Sequence, residues 1–141
     1  MIFFGHYGIY LAWLVALVAT GGSLYFSEVL HFVPCELCWY QRILMYPMVL
    51  ILSIASFRDD HNIAIYALPM SVLGAGLAMF HYMEQKIPGF GFPELCKVGA
   101  PCTVSYINWA GFITIPLLSF MGFALIGWLL WMASRQTNNS R

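Results

Sequence analysis

Residues 34–42 read PCELCWYQR, which sets a Cys-x-x-Cys pair where a polar segment gives way to a long apolar run. A proline is tolerated at a helix start and disfavours helix in the residue before it, so a helix is predicted to begin at or just after Pro34. The apolar body that follows, 43–57, has 15 residues, too few to cross about 30 Å of hydrocarbon alone. Trp39 to Arg42 therefore belong to the first helical turns, and the two thiols are predicted at a membrane surface.

The composition of the chain is that of a membrane protein. Of its 141 residues 61% are hydrophobic and 9% are charged, and four runs are apolar enough to span a bilayer. The formal net charge is zero, and the scattered charges leave no basic patch, which excludes nucleic acid as a partner. We predict an all-α membrane protein, an antiparallel four-transmembrane-helix bundle surrounded by membrane lipid. It is expected to be one domain over residues 1–141, with helices at about 7–27, 36–57, 63–84 and 108–133.

Small residues predict where these helices meet. The Gly21-Gly22-Ser23 patch in helix one, and the series Ser71, Gly74, Ala75 and Ala78 in helix three, are expected to let neighbouring helices approach closely. Pro116 is expected inside helix four, which is followed by a polar tail from Ser134.

The number of spans constrains the topology. With four spans, the Cys35/Cys38 loop and the Cys96/Cys102 loop emerge on one face, opposite both termini. Three basic residues are expected on each side, so the positive-inside rule does not orient the chain. An even number of cysteines in one loop layer favours the oxidising side, so we expect both termini in the cytoplasm and the cysteine loops outside it. The first segment lacks a positively charged start and is expected to be retained rather than cleaved.

The cysteines point to thiol-disulfide exchange. Cys38, near the start of its helix, faces unsatisfied backbone N–H groups and the positive end of the helix dipole, which favours the nucleophilic thiolate. Arg42, one turn later, adds a positive charge on roughly the same face. Cys96 and Cys102 close a small ring in a proline-rich loop, a setting typical of an exposed, exchangeable disulfide. Two pairs on one face suggest a relay whose inner electron acceptor lies near Arg42.

Three segments carry a resemblance to a known family. Residues 35–47, CELCWYQRILMYP, closely resemble the DsbB family of quinone-linked thiol oxidases, and especially its short Gram-positive BdbC type. Residues 81–90, HYMEQKIPGF, then the paired loop cysteines, and then 106–116, YINWAGFITIP, look like BdbC segments in the same order. The likeness spans nearly the whole chain and implies a bacterial cell-membrane enzyme.

The resemblance implies a role for each cysteine. A reduced thioredoxin-like thiol oxidase outside the cytoplasm, of the DsbA or BdbD type, would attack the loop disulfide at Cys96, and Cys102 would be the resolving thiol. Electrons would then pass to Cys35, which matches the cysteine that exchanges with the loop, and on to Cys38, which matches the thiolate in contact with a membrane quinone. Arg42 matches the family arginine beside the quinone.

Further residues are expected near the quinone, and the spacing of the loop cysteines departs from the family pattern. The BdbC likeness favours menaquinone over ubiquinone, with Gln41 next to Arg42 as a further quinone contact. His81 is expected toward the cysteine face, where its imidazole can hydrogen-bond the quinone or pass a proton, or is satisfied within the bundle. Glu84 is expected at a solvated helix end. Only five residues separate the loop cysteines, fewer than in longer members, so a disulfide between Cys35 and Cys102 is a hypothesis.

Three other functions remain open from the sequence. Four cysteines in one layer can bind zinc or an iron-sulfur centre, although two helices and an unlike spacing separate the pairs. A vitamin K epoxide reductase-like enzyme is a second alternative, although there the loop cysteines precede the Cys-x-x-Cys. A structural membrane protein whose disulfides only tie loops is the third.

Overall fold

Four long helices make up most of the structure, a computed structural model that describes residues 2–87, 89–90, 111 and 113–141, with side chains from residue 7 onward. The helices are α1 (Ile2–Leu24), α2 (Glu36–Arg58), α3 (Ala64–Lys86) and α4 (Ile115–Asn139). A π-helical turn, Tyr25–Val29, extends α1, and a 3-10 turn, His61–Ile63, precedes α3. All four helices are long and apolar enough to cross a membrane. The predicted all-α, four-helix membrane fold is confirmed.

The helices form an antiparallel ring in which α1 and α3 each pack against both α2 and α4. A Cβ atom added at Gly8, near the start of α1, would lie 3.1 Å from Ala133 Cβ near the end of α4, and Arg141, just after α4, donates a hydrogen bond of 3.4 Å to Asn62 in the α2–α3 turn. The start of α1, the end of α4 and the α2–α3 turn therefore share one end of the bundle. Cys35 lies at the start of α2, at the opposite end, as the count of spans predicts.

Small residues bring α3 and α4 together. A Cβ atom added at Gly74 would overlap the ring of Phe123, and one added at Gly127 would come within 2.9 Å of Ser71 Oγ. Ser71, Gly74 and Ala78 are all buried on the same face of α3. The close contact predicted for the small residues of helix three is confirmed.

The close contact predicted at Gly21 and Gly22 is wrong. Among the described residues, a Cβ atom at either position would meet no atom within 4 Å outside its immediate neighbours. No bulky side chain from another helix fills the space beside Gly22, which borders a cavity together with Ser23. Because glycine has no side chain, these two positions leave open space beside α1 instead of a close contact with another described helix.

Helix four differs from its prediction at both ends. Thr114 is extended (φ −122°, ψ 167°) and caps a helix that begins at Ile115, so Pro116 lies in the first turn rather than inside. Proline fits that position because its φ is already helical and its missing N–H has no partner there to lose. At the other end Thr137 Oγ1 donates to the Ala133 carbonyl at 3.2 Å, and the helix continues through most of the predicted polar tail. Residues 91–110 and 112, with Cys96, Cys102 and the predicted start of helix four, lie outside the described residues.

Candidate redox site

The Cys-x-x-Cys pair lies at the first turn of α2. Cys35 is the residue before the helix, with an extended backbone (φ −79°, ψ 174°), and its carbonyl accepts the Trp39 N–H at 3.1 Å. Cys38 is the third residue of the helix. Both are free thiols, with their Sγ atoms 3.2 Å apart. Cys35 is 5% exposed and Cys38 is partly buried, so both sulfurs lie beside the positive end of the helix dipole, largely shielded from solvent.

His81 connects α3 to this pair. Its buried ring places Nε2 3.5 Å from Cys35 Sγ, while Gln41 Nε2 lies 3.3 Å from Nδ1. An amide nitrogen can only donate, so Nδ1 accepts this bond and the ring proton is on Nε2, facing the Cys35 sulfur. The hydrogen bond with Cys38, followed by the His81 ring, lowers the pKa of the Cys35 thiol against the opposing effect of burial. The described contacts thus stabilise a thiolate on Cys35, whereas the sequence argument placed it on Cys38.

Arg42 is held in one position by α1 and by its own helix. Its Nε donates to Ser23 Oγ at 3.0 Å and its Nη2 donates to the Ser23 carbonyl at 3.2 Å. The guanidinium also lies over the Trp39 ring, with its Cζ 5.4 Å from the ring centroid. Within the described part of the chain, no carboxylate forms a salt bridge with Arg42. Its positive charge is therefore fixed in place but not neutralised.

A cavity of about 320 Å³ connects these groups. Five of the predicted site residues border it: Cys35, Cys38, Gln41, Arg42 and His81. Its apolar wall comes from α1, the π-helical turn and α4, and includes Ala19, Gly22, Phe26, Leu118 and Phe123. The segment 27–34 contributes further wall residues beside Cys35. The lining of the cavity therefore combines two thiols, an imidazole and a guanidinium with an apolar wall.

Glu84 is a buried member of this region that the sequence analysis placed wrongly. It was expected at a solvated helix end, but it is 7% exposed, and its Oε2 has no hydrogen-bond partner among the described residues. The buried positions of α3 recur every three or four residues, at Ala64, Ala67, Ser71, Gly74, Ala78, His81 and Glu84. Helical periodicity therefore places Glu84 on the same buried face as His81, and it was the signal that could have found it.

The site offers donors for a metal as well as for an organic ligand. Cys35 Sγ, Cys38 Sγ and a ring nitrogen of His81 all lie within 4.8 Å of one another, the one group of three such side chains among the described residues. Arg42 and Gln41 provide N–H donors to a molecule in the cavity. Cys96 and Cys102, the other predicted catalytic residues, lie outside the described part.

Comparison with known proteins identifies the family. The family model "Disulfide bond formation protein DsbB" matches residues 7–134. The chain belongs to the DsbB family. It is 58% identical over 118 residues to disulfide bond formation protein C of Bacillus subtilis (strain 168), covering 84% of this chain and 86% of that protein. It is also similar to probable disulfide formation protein C 1 of Bacillus anthracis, at 49% over 120 residues, or 85% of this chain and 86% of the relative.

A more distant relative shows the same relationship. The probable disulfide formation protein of Coxiella burnetii (strain Dugway 5J108-111) is 45% identical over 130 residues, covering 91% of this chain and 88% of that protein. No solved structure gives a significant match. The resemblance drawn from residues 35–47 is confirmed, and membership of the DsbB family makes this protein a multi-pass membrane disulfide oxidoreductase. These matches lend no support to a vitamin K epoxide reductase-like enzyme or to a purely structural protein.

Proposed function

We propose that this enzyme re-oxidises an extracytoplasmic thioredoxin-like thiol oxidase, of the DsbA or BdbD type, and passes the electrons to a membrane quinone. It would thereby support disulfide formation in secreted proteins. The observation that carries the proposal is the cavity that joins the Cys35/Cys38 pair to an apolar wall and to Arg42, which Ser23 holds in place and which forms no salt bridge with a described carboxylate. A lipid-soluble oxidant needs all three features.

The residues of the cavity fit a quinone. A volume of about 320 Å³ lies within the usual range for small-ligand pockets, about 300 to 1000 Å³. Arg42, Gln41 and the His81 ring are polar groups suited to the carbonyl oxygens of the headgroup, and the Phe26 and Phe123 side of the cavity suits an isoprenoid chain. When bound, the quinone accepts two electrons and two protons. Menaquinone is the proposed species, because the resemblance to the BdbC type favours it.

Each residue of the site has a different proposed role in the oxidation of the two thiols. Forming the Cys35–Cys38 disulfide releases two electrons and two protons from the two thiols. His81 Nε2–H, 3.5 Å from Cys35 Sγ, stabilises a thiolate there and is placed to hold or pass one proton. Arg42 favours negative charge on the neighbouring sulfur and on an oxygen of the acceptor. Cys38 is proposed to face the quinone, while Cys35 exchanges with the loop pair.

The proposed exchange with the partner uses the two loop cysteines. The reduced partner attacks Cys96 and releases Cys102 as a thiol, the partner's second thiol then resolves the mixed disulfide and releases Cys96, and the two loop thiols reduce the Cys35–Cys38 disulfide. These roles rest on the family resemblance, as does the hypothesis of a transient bond between Cys102 and Cys35. Peptide mapping of the enzyme trapped during turnover, without reducing agent, tests the bond by finding or missing that linked pair.

We further propose that the cysteine end faces the outside of a bacterial cell membrane and that both termini are cytoplasmic. The arrangement of the helices supports termini on the side opposite Cys35, because α1 starts and α4 ends at the other end of the bundle, and the choice of the outside for the cysteine end rests on the even number of cysteines. A membrane-impermeant maleimide should label Glu28→Cys in intact cells of a cysteine-free variant, but Ser140→Cys only after permeabilisation. The reverse labelling pattern would show that the termini lie outside and that the cysteine end faces the cytoplasm.

The decisive experiment for the proposed function is quinone reduction by the purified protein with a reduced thioredoxin-like partner. Cys38→Ser should abolish turnover, and Arg42→Ala should lower it about 100-fold, the usual cost of one charge-stabilising group. Arg58→Ala, an exposed cation at the other end of α2, is the matched control and should retain the native rate. Native turnover in both Cys38→Ser and Arg42→Ala would overturn the proposal.

A further inference from the structure

The reduced site resembles an empty metal-binding site in its donor atoms and their spacing. Cys35 Sγ lies 3.2 Å from Cys38 Sγ and 3.5 Å from His81 Nε2. Zinc binds thiolate sulfur at about 2.3 Å and imidazole nitrogen at about 2.0 to 2.1 Å with tetrahedral angles, which sets S···S near 3.8 Å and S···N near 3.6 Å. The observed separations differ from these by only about 0.6 and 0.1 Å. The third pair, Cys38 Sγ and a ring nitrogen of His81, lies within 4.8 Å, so side-chain movements of about 1 Å would bring all three donors to one ion.

We infer that the reduced enzyme binds one thiophilic divalent cation of the zinc class through Cys35 Sγ, Cys38 Sγ and His81 Nε2. The donors come from rigid positions: the first turn of α2 holds both sulfurs, and α3 holds the imidazole. The inference depends on these three side chains and not on the proposed quinone or partner.

Gln41 fits the site as the outer partner of the histidine ligand. A histidine that binds metal through Nε2 carries its proton on Nδ1 and donates it to an oxygen atom. Gln41 already contacts Nδ1, and its side-chain amide offers an oxygen after a half-turn about its last bond. The same glutamine therefore serves both states: it donates to Nδ1 in the metal-free site and accepts from Nδ1 when the ion is bound.

The charge and surroundings also suit a bound cation. Two thiolates balance the two positive charges of the ion, so the ion and its two sulfur ligands add no net charge beside the Arg42 guanidinium. Three protein ligands leave a fourth coordination position for water, and all three ligating residues border the cavity. The ion can therefore reach the site through space that the fold already provides.

Binding would switch off the disulfide chemistry without any redox step. The ion replaces two thiol protons, two Zn–S bonds form, and the two protons are released to solvent. Both sulfurs are then occupied, so a Cys35–Cys38 disulfide cannot form until the ion leaves. Only the reduced enzyme can bind, because the disulfide has no thiolates to offer. Zinc would thus hold the enzyme reduced and inactive, and a chelator would restore it.

The test uses Co²⁺ as a spectroscopic substitute for zinc, on the full chain carrying Cys96→Ser and Cys102→Ser. The reduced protein should bind one Co²⁺ per chain, with a thiolate-to-cobalt absorption band and the visible bands of a tetrahedral site, and Zn²⁺ should displace it. Oxidising Cys35 and Cys38 to the disulfide should abolish these bands. The same spectrum in a chain that also carries Cys35→Ser and Cys38→Ser would overturn the inference.

Substitutions at His81 and Gln41 distinguish this three-ligand site from chelation by the two thiols alone. His81→Ala should weaken Co²⁺ binding by tenfold or more, and Gln41→Leu by about tenfold, the usual effect of removing an outer partner. Gln41→Glu should tighten binding, because a carboxylate accepts the Nδ1 proton better than an amide, and a misfolded variant could not produce that gain. His61→Ala, at the opposite end of the bundle, is the control, and this variant should bind Co²⁺ with the same affinity as the protein with the native His61. Unchanged affinity in His81→Ala would contradict the proposed ligand set.

Discussion

At the residue scale, the behaviour of the two thiols depends on a histidine from another helix. His81 Nε2 lies 3.5 Å from Cys35 Sγ, and the Gln41 amide nitrogen lies 3.3 Å from Nδ1 on the other side of the ring. The sequence predicted both cysteines, Arg42 and the general position of His81. The Gln41–His81 contact could not be predicted, because it depends on how α2 and α3 rotate against each other. The hydrogen bond with Cys38 and then the His81 ring lower the pKa of Cys35, and the position of the cysteines along the helix does not reveal the contribution of the ring.

His81 should therefore control the pH at which Cys35 reacts. The pKa of Cys35 is lowered in part by His81, so native Cys35 stays a reactive thiolate at pH values where an ordinary thiol is protonated. His81→Ala removes that contribution, and the midpoint of Cys35 alkylation should move to higher pH. Iodoacetamide labelling rates, measured by peptide mapping across a pH series, give the midpoint. His61→Ala is the control, and an unmoved midpoint in His81→Ala would show that the ring does not stabilise the thiolate.

At the scale of elements, small residues have opposite effects in two helices. On α3 the small residues allow the predicted close packing, in which the Phe123 ring of α4 lies against Gly74. On α1, Gly21 and Gly22 face open space among the described residues. The sequence shows that the side chains on one helix face are small, but not whether a neighbouring helix fills the space beside them. The start of α4 has a similar ambiguity, because Pro116 suits either a kink or a first turn and only the extended Thr114 decides between them. Periodicity was the stronger guide, since the spacing that buries His81 also buries Glu84.

The α3–α4 contact predicts a difference between two glycines of one helix. Gly74→Ala should lower the free energy of unfolding by about 1 to 3 kcal/mol, because the new methyl group overlaps the buried Phe123 ring. Gly76→Ala is the matched control, since a Cβ there meets nothing within 4 Å, and its higher helix propensity should add up to about 1 kcal/mol. Thermal unfolding in detergent measures both. Equal melting temperatures for the two variants would mean that α3 and α4 do not pack this closely.

The α1 glycines predict a way to block the cavity. Gly22 borders the cavity and Gly21 is exposed outside it, so Gly22→Leu should place a side chain in the space proposed for the quinone. The KM for quinone should rise on the order of tenfold, comparable to a steric change of one or two methylene groups in a pocket. Gly21→Leu should leave the KM unchanged. Equal KM values for both variants would place the quinone elsewhere.

At the scale of the whole molecule, the bundle holds a pair of thiols at the end opposite the α2–α3 turn and the end of α4. The sequence predicted the four spans and the common end of Cys35, the last turn of α3 and the first turn of α4, because hydropathy and the number of spans determine them. It could not predict the cavity, which arises where α1, α2, α3 and α4 leave space around Cys38 and Arg42. The PCELCWYQR stretch functions only in that setting, since its arginine is held by α1 and its first cysteine contacts α3.

A single-turnover reaction tests the central claim most directly. The reduced chain carrying Cys96→Ser and Cys102→Ser is mixed without oxygen with one equivalent of a menaquinone analogue, and quinol and free thiols are counted. The account predicts one quinol per chain, the loss of both thiols, and a peptide cross-linked between Cys35 and Cys38. Quinone that stays oxidised while both thiols persist would contradict a direct transfer of electrons from this pair to the quinone.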